Sequence, residues 1–298
     1  MKTVFRYRLA HFRGQILGWG IGLALLGLLL AQFYGTIADQ QEQLMQIWGS
    51  YPKEFMAFFG DLEQIATPSG YLGVEYFSYM PLIVGIFAVL MGSGLLASDE
   101  ESGRLDLIMA HPVSRRALFW GRLGAFTVAT LAIMALSWLG LFLPRYWTRL
   151  DVGWLELAWP FLSLLALLLL FGTLALLLSM VLPSRRMTAM TAGLLLVASY
   201  FVTSLARIID DLKTVSRLSP LNYYQGGEAI DSLNVTWLVG LLAVSALFAV
   251  LAWWRFERRD IRVGGEGGWE RPAWSRLLPR RFAARHEAPV PESVMASR

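Results

Sequence analysis

Six long, apolar and uncharged runs constrain the fold of this chain more than any other feature. A helix needs roughly 20 apolar residues to cross the hydrocarbon core of a bilayer. The runs contain no Asp, Glu, Lys, Arg or His, and one charged residue at the centre of a membrane helix costs roughly 2.5–3.5 kcal/mol. The runs cover residues 16–34, 77–98, 123–143, 157–182, 188–206 and 235–254. They predict an all-α integral membrane protein with six transmembrane helices.

The composition agrees with a membrane protein. Charged residues make up 16% of the chain and hydrophobic residues 56%, whereas a soluble domain has roughly 25% charged residues. There is no cysteine, so disulfides and thiolate metal sites are excluded. The run at 16–34 lacks a small-residue cleavage site, so we expect a membrane helix there and not a cleavable signal peptide.

The distribution of Lys and Arg predicts the orientation. If the N-terminus is inside, most of the 26 Lys and Arg residues fall in the inner segments, and this bias persists without the C-terminal tail. Positive charge is retained on the cytoplasmic side of membrane proteins. We therefore expect both termini to be cytoplasmic, in the cytoplasmic (inner) membrane. The same distribution attributes the net charge of +4 to topology, and no nucleic acid is expected as a partner.

The chain divides into three parts. In residues 1–13, apolar side chains such as Val4 and Phe5 are interspersed with basic ones, which predicts a short amphipathic helix on the lipid of the inner leaflet; a frayed basic terminus is the alternative. Residues 14–262 hold the six-helix transmembrane domain. Residues 263–298 are rich in Gly, Pro and Arg, which predicts a flexible basic cytoplasmic tail able to lie on anionic lipid.

Small residues recur on the first membrane helix. Gly14, Gly18 and Gly22 have the spacing that lets two helix backbones approach closely. This pattern predicts helix packing at these glycines, and a second copy of the chain is one candidate for the neighbouring helix.

The outer segment 36–76 has its own pattern. Apolar residues at helical spacing around 44–48 and 55–62 predict two short amphipathic helices. The sequence "TPSGY" at 67–71 contains Pro and Gly, so we expect a turn there.

A short polar stretch, "SDEESGRLDLIMAHPVSRRALFWGR" at 98–122, separates the second and third runs. Leu105, Ile108 and Met109 form an apolar stripe at helical spacing. Gly103 is expected to separate this short helix from the membrane helix, and Pro112 to end it. The stripe needs a partner, and the lipid surface or a soluble protein would both serve; a simple connector remains the alternative.

Three acidic residues, Asp99, Glu100 and Glu101, precede this short helix, where the helix dipole favours negative charge. Ser98 and Glu101 also have the spacing of a capping box, which predicts that they cap the start of the same helix.

The stretch "LLASDEESGRLDLIMAHPVSRRALFWGRL" at 95–123 resembles the first intracellular loop of ABC-2 type permeases, the membrane subunits of bacterial ABC exporters. The segments "FFGDLEQIATPSGYLGVEYFSYMPLI" at 58–83, "LSPLNYYQGGEAI" at 218–230 and "FERRDI" at 256–261 resemble other parts of the same family. The sequence departs from the family pattern at Arg104, where Thr is usual.

The resemblance implies that a coupling helix between membrane helices 2 and 3 docks in a groove of a separate cytoplasmic ATP-binding subunit. It also implies export, and a unit of two permease chains, expected to be a homodimer, with two ATPase chains. The residues expected at the ATPase-coupling interface are Glu100, Glu101, Gly103, Leu105, Asp106, Ile108, Met109 and Pro112. Their role would be mechanical.

The chain lacks the G-x-x-x-x-G-K-[ST] phosphate loop. We therefore expect no catalytic residue, cofactor or metal in this chain, with ATP and Mg on the partner subunit. Two other functions are alternatives. An ion-coupled secondary transporter needs ionisable groups within the membrane, and none lies in the six runs. A scaffold that couples an ATPase to mechanical or signalling work fits the same sequence. The sequence assigns no transported substrate.

Overall fold

The computed structural model describes residues 1–39, 67–110 and 113–259, and the regular elements in these ranges are all helical. The predicted all-α fold is confirmed for this part of the chain. Five helices are long and apolar enough to cross a membrane: Arg13–Thr36, Arg115–Tyr146, Ala158–Ser179, Arg185–Leu205 and Val235–Arg258. The pair Pro68–Phe77 and Met80–Gly94 is bent by 42° and makes a sixth span if it counts as one.

Twelve α-helices are described, with one π-helix and two 3-10 turns between them. They are α1 (Lys2–His11), α2 (Arg13–Asp39), α3 (Pro68–Leu72), the π-helix (Gly73–Phe77), α4 (Met80–Gly94), α5 (Ala97–Glu101), α6 (Arg104–Met109), α7 (Arg115–Phe142), a 3-10 turn (Leu143–Tyr146), α8 (Ala158–Ser179), α9 (Arg185–Leu205), α10 (Leu212–Ser216), a 3-10 turn (Pro220–Tyr223), α11 (Glu228–Asp231) and α12 (Val235–Arg258). The predicted run 77–98 extends too far, because α4 ends at Gly94 and Ser98 belongs to α5.

Helix α8 is the centre of the bundle. In its most apolar stretch of 18 residues, 67% of the stretch is buried, against 22% in the corresponding stretches of α2 and α12 and 17% in that of α9. It packs against α4, α7, α9 and α12. A helix that is apolar on all sides is suited to this central position. At its crossing with α4, a Cβ added to Gly92 would lie 2.1 Å from the carbonyl oxygen of Gly172. The two backbones are in contact there, so there is no room for a side chain at position 92.

Helix α2 packs along α7. On the α2 side, the glycines at this contact are Gly20 and Gly27, which face Leu136 and Leu141. Gly14, Gly18 and Gly22 lie on the other side of α2, and nothing in the chain comes within 4 Å of a Cβ built on them. Their predicted role in helix packing is therefore not filled by the described part of this chain, and a contact with another chain stays a prediction.

Helix α1 confirms that the N-terminal segment is helical, but its apolar side packs on protein. Val4 lies 3.2 Å from a Cβ built on Gly121 of α7, and Phe5 lies close to Gly124. Val4, Phe5 and Leu9 all pack against the core of the bundle. Contact between the remaining surface of α1 and lipid stays a prediction.

The prediction of a turn at "TPSGY" is wrong. Residues 68–72 form α3, and the Thr67 hydroxyl accepts a hydrogen bond from the Gly70 backbone N–H at 3.1 Å. Pro68 occupies the first helical position, where its missing N–H costs nothing. The amphipathic helices expected at 44–48 and 55–62, and the tail at 263–298, lie outside the described residues.

The long helices alternate in direction, so the bundle has two distinct ends. One end carries α1, α5 and α6, and we term it the α6 end. The other end carries α3, α10 and α11, and we term it the α11 end. At the α11 end, an exposed ion pair between Arg149 and Asp39 joins α2 to the segment after α7.

Candidate coupling site

The break between α5 and α6 lies at Gly103, whereas we expected Gly103 to separate the membrane helix from the short helix; the membrane helix α4 already ends at Gly94. Gly103 has φ +68°, a left-handed conformation that glycine adopts without the strain of a side chain. A Cβ built on Gly103 would meet nothing within 4 Å, so backbone conformation and not space favours glycine. The break lets α6 leave the direction of α5.

Asp99, Glu100 and Glu101, which we term the acidic turn, lie at the C-terminal part of α5. The Asp99 carboxylate accepts from the Arg122 guanidinium of α7 at 2.6 Å. Arg122 also donates to the Leu95 carbonyl at 2.7 Å. Asp99 is 8% and Arg122 4% exposed, so this is a buried ion pair.

Glu100 joins the acidic turn to two further membrane helices. The Arg259 guanidinium, directly after α12, binds both carboxylate oxygens of Glu100, one of them at 2.5 Å. Arg259 also donates to the Ser179 and Met180 carbonyls at 3.5 and 3.3 Å, at the end of α8. Glu100 is therefore held against the ends of α8 and α12.

Glu101 reaches a third neighbour. Its carboxylate accepts from the Arg185 backbone N–H at 2.6 Å, at the first residue of α9. Negative charge is favourable at a helix N-terminus. The expected capping box with Ser98 is wrong, because α5 begins at Ala97 and contains Ser98, and the Glu101 carboxylate caps α9 instead.

Arginines of other helices surround the acidic turn. Arg115, at the start of α7, donates to the carbonyl groups of Phe256, Glu257 and Arg259 at 3.3, 3.4 and 2.8 Å. Arg8 of α1 donates to the Gly94 carbonyl at 3.4 Å. Burial lowers the pKa of the Arg8 guanidinium, and the nearby Asp99 carboxylate opposes this shift. Arg115 and Arg8 thus join α7 to the end of α12 and α1 to the end of α4 at the α6 end.

The apolar stripe predicted on α6 faces inward. Leu105 is 1% exposed, and Ile108 and Met109 pack beside it against the core of the membrane helices. The outward side of α6 presents Arg104 and Leu107, of which Leu107 is 68% exposed.

The residues predicted for an ATPase-coupling interface therefore occupy different positions. Glu100 and Leu105 are buried in the chain, whereas Glu101 is exposed while capping α9. Pro112 and the side chain of Asp106 lie outside the described part of the structure. Their role toward a partner stays a prediction.

Sequence reasoning missed Leu107, Arg122 and Arg259. The segment "FERRDI" contained Arg259, but nothing in the sequence paired it with Glu100. The exposed position of Leu107 could have been found from its place opposite the stripe of Leu105 and Ile108 on a helix. Among the described residues, no group of three His, Asp or Glu side chains could hold a metal ion.

The chain matches a protein-family profile. The profile is described as the C-terminal domain of the multidrug efflux system permease Rv1217c, and it matches residues 4–257. A comparison with curated proteins found no match. The matched region runs from α1 to the end of α12 and includes the acidic turn and α6. Together with the apolar helices of the bundle, this match shows that the chain is a multi-pass membrane permease that belongs to the multidrug efflux system permease Rv1217c C-terminal domain family.

Proposed function

We propose that this chain is the permease subunit of an ABC-2 type exporter, driven by a separate ATP-binding subunit that docks on α6. The acidic turn is the observation that carries the proposal. Three consecutive carboxylates bind a side chain two turns inside α7, the residue directly after α12 and the start of α9, and α6 follows them after the Gly103 break. A force applied to α6 would therefore reach several membrane helices at once.

The mechanical step follows from these contacts. Movement of the ATP-binding subunit would displace α6, and α6 would carry the acidic turn with it. The Asp99–Arg122 pair and the Glu100–Arg259 pair are mostly buried. Removing one partner of a buried ion pair costs roughly 3–5 kcal/mol, so the pairs would move as a unit and pull α7 and α12 along.

The outward side of α6 would supply the docking contact. Leu107 would fill an apolar depression on the ATP-binding subunit, and the exposed Arg104 beside it would meet an acidic group. The inward stripe of Leu105, Ile108 and Met109 would serve as the attachment of α6 to the bundle. This division assigns docking and transmission to opposite faces of one short helix.

The remaining parts of the proposal concern assembly. The α6 end would face the cytoplasm, consistent with the distribution of Lys and Arg. ATP and Mg would be held by the partner, because this chain has no phosphate loop. A second permease copy would complete the transport path, and the outward face of α2 with Gly14, Gly18 and Gly22 is the proposed contact.

The direct test is reconstitution of the chain with a co-purified ABC ATP-binding subunit in lipid vesicles. Leu107→Asp is expected to reduce permease-stimulated ATP hydrolysis about tenfold, since an exposed docking side chain at an interface centre is worth more than 1.4 kcal/mol. Leu218→Asp is the matched control, because Leu218 is 85% exposed at the α11 end.

Normal stimulation in the Leu107→Asp variant, or failure of any ATP-binding subunit to co-purify, would contradict the docking assignment. Stimulated hydrolysis without flux of any tested solute would instead favour the scaffold function.

A further inference from the structure

Two arginines from different helices meet at the end of α4. The Arg8 guanidinium of α1 donates to the Gly94 carbonyl at 3.4 Å. A Cβ built on Gly94 would lie 3.0 Å from the Cζ atom of Arg185, and Arg185 donates to the Leu90 carbonyl at 3.5 Å. Because Gly94 has no side chain, the first residue of α9 can lie across the end of α4. Two positive charges are therefore close together at this place.

The acidic turn leaves both of these guanidinium groups without an ion pair. Asp99 and Glu100 are bound by arginines of α7 and of the segment after α12. Glu101 accepts from the backbone N–H of Arg185 and not from its side chain. Among the residues the structure describes, neither Arg8 nor Arg185 forms an ion pair. Their positive charge is free to attract an anion from outside the chain.

Arg8 is also partly removed from water. Its Nε atom is buried and has no hydrogen-bond partner in the described part of the chain. Burial lowers the pKa of the Arg8 guanidinium, and the charge of Arg185 lowers it further against the opposing effect of Asp99. A half-buried cation without a counter-charge is unfavourable. An anion that contacts Arg8 and Arg185 together would offset this cost.

An apolar surface continues from the two arginines along the outer side of α4. Ile83, Ile86 and Leu90 are 40%, 51% and 46% exposed, and their spacing of three and four residues places them on one face of the helix. Leu90 lies one turn from Gly94 on this face, and helix α9 packs beside α4. A surface that is cationic at one end and apolar along its length suits a molecule with an anionic head and a hydrocarbon chain.

We propose that α1, α4 and α9 bind an acidic phospholipid, with its phosphate between Arg8 and Arg185 and one acyl chain along the outer side of α4. Guanidinium groups bind phosphate oxygens through paired hydrogen bonds, and basic places between membrane helices accept acidic lipid headgroups. The exposed Arg186 next to Arg185 adds to the attraction. The lipid would join α1 to the start of α9. Binding requires a bilayer but neither ATP nor a partner subunit.

The test measures binding of single lipid molecules to the purified full chain by native mass spectrometry, with phosphatidylglycerol and phosphatidylethanolamine in competition. We expect one phosphatidylglycerol to be retained more tightly than phosphatidylethanolamine. Arg8→Gln and Arg185→Gln should each weaken this binding about fivefold, the effect of one basic side chain on an acidic lipid. Arg8→Lys should fall between Arg8→Gln and the unchanged chain, because lysine keeps the charge but cannot form the paired hydrogen bonds.

Arg6→Gln is the matched control. It removes the same charge from α1, but Arg6 is exposed and lies nearly opposite Arg8 on the helix, so we expect unchanged binding. Circular dichroism and gel filtration check that each variant is folded.

Three results would overturn the inference: equal retention of the two lipids, equal losses in Arg6→Gln and Arg8→Gln, or displacement of the bound lipid by inorganic phosphate. The last result would show an anion site without the acyl-chain contact. Because no ATP-binding subunit is present, these outcomes are separate from the test of the ATPase-driven function.

Discussion

At the scale of single residues, the Asp99–Arg122 pair is the feature of the α6 end where a substitution is expected to cost the most stability. Both side chains are buried, and the other terminal nitrogen of Arg122 donates to the Leu95 carbonyl. Arg104 is a second partner of Asp99, at 3.8 Å, but its side chain is 65% exposed. The two arginines therefore contribute unequally, since exposed ion pairs are worth little and buried ones are costly to break.

We predict that Asp99→Asn lowers the free energy of unfolding by roughly 3–5 kcal/mol, because it leaves the Arg122 guanidinium buried without its counter-charge. Thermal unfolding of the purified chain in detergent measures the change. The control is Arg104→Gln, for which we expect a loss of about 1 kcal/mol or less. Equal losses in the two variants would show that burial does not distinguish the pairs.

The residue scale also shows the limit of reasoning from spacing. Glu101 and Ser98 have the spacing of a capping box, yet the Glu101 carboxylate binds the start of α9. The pattern identifies an acidic side chain that can bind a helix N-terminus, and in the folded chain that N-terminus belongs to α9. Only the packing of distant segments determines which N-terminus it binds.

At the scale of elements, the crossing of α4 and α8 sets how tightly the bundle can close. The backbone of Gly172 occupies the space that a side chain at Gly92 would need. Because α8 contacts four other long helices, a displacement at this crossing would spread through the bundle.

Gly92→Ala is expected to destabilise the chain by about 1–3 kcal/mol or more, since the added methyl group overlaps backbone that has no flexible end to move. Gly193→Ala on α9 is the matched control, because nothing lies within 4 Å of a Cβ built there; it should be neutral or slightly stabilising. The thermal midpoint of each purified variant measures both effects. A neutral Gly92→Ala would contradict the close backbone contact.

Helices differ in how well the sequence pattern predicts them. Five of the six long apolar runs correspond to long helices, because an apolar segment of that length has few alternatives in lipid. The run 77–98 is the exception, since it is divided among the π-helix, α4 and α5. The short helices are harder to predict from sequence. Residues 67–71 form a helix although Pro and Gly suggested a turn, because Thr67 caps the helix and Pro68 fits its first position.

At the scale of the whole molecule, the proposed orientation places the α6 end in the cytoplasm and the α11 end outside. The absence of native cysteine allows this to be tested with single introduced cysteines. Ser102 and Leu218 are exposed positions at opposite ends of the bundle.

In intact cells, Ser102→Cys is expected to resist a membrane-impermeant maleimide and to react only after the membrane is opened, whereas Leu218→Cys should react at once. The cysteine-free parent chain controls for background labelling. Labelling of Ser102→Cys in intact cells would place α6 outside and would contradict both the orientation and the ATPase partner.

The sequence by itself determined the all-helical membrane architecture and the short helix after Gly103. These follow from local properties: the length of an uncharged apolar run, the charge around it and the conformation that glycine permits. Tertiary structure decided which charges meet. The pairing of Glu100 with Arg259 joins residues far apart in the chain, and the inward turn of Leu105 follows from the helices packed around it. Such contacts depend on how the helices pack in three dimensions, and residue spacing contains no direct measure of that packing.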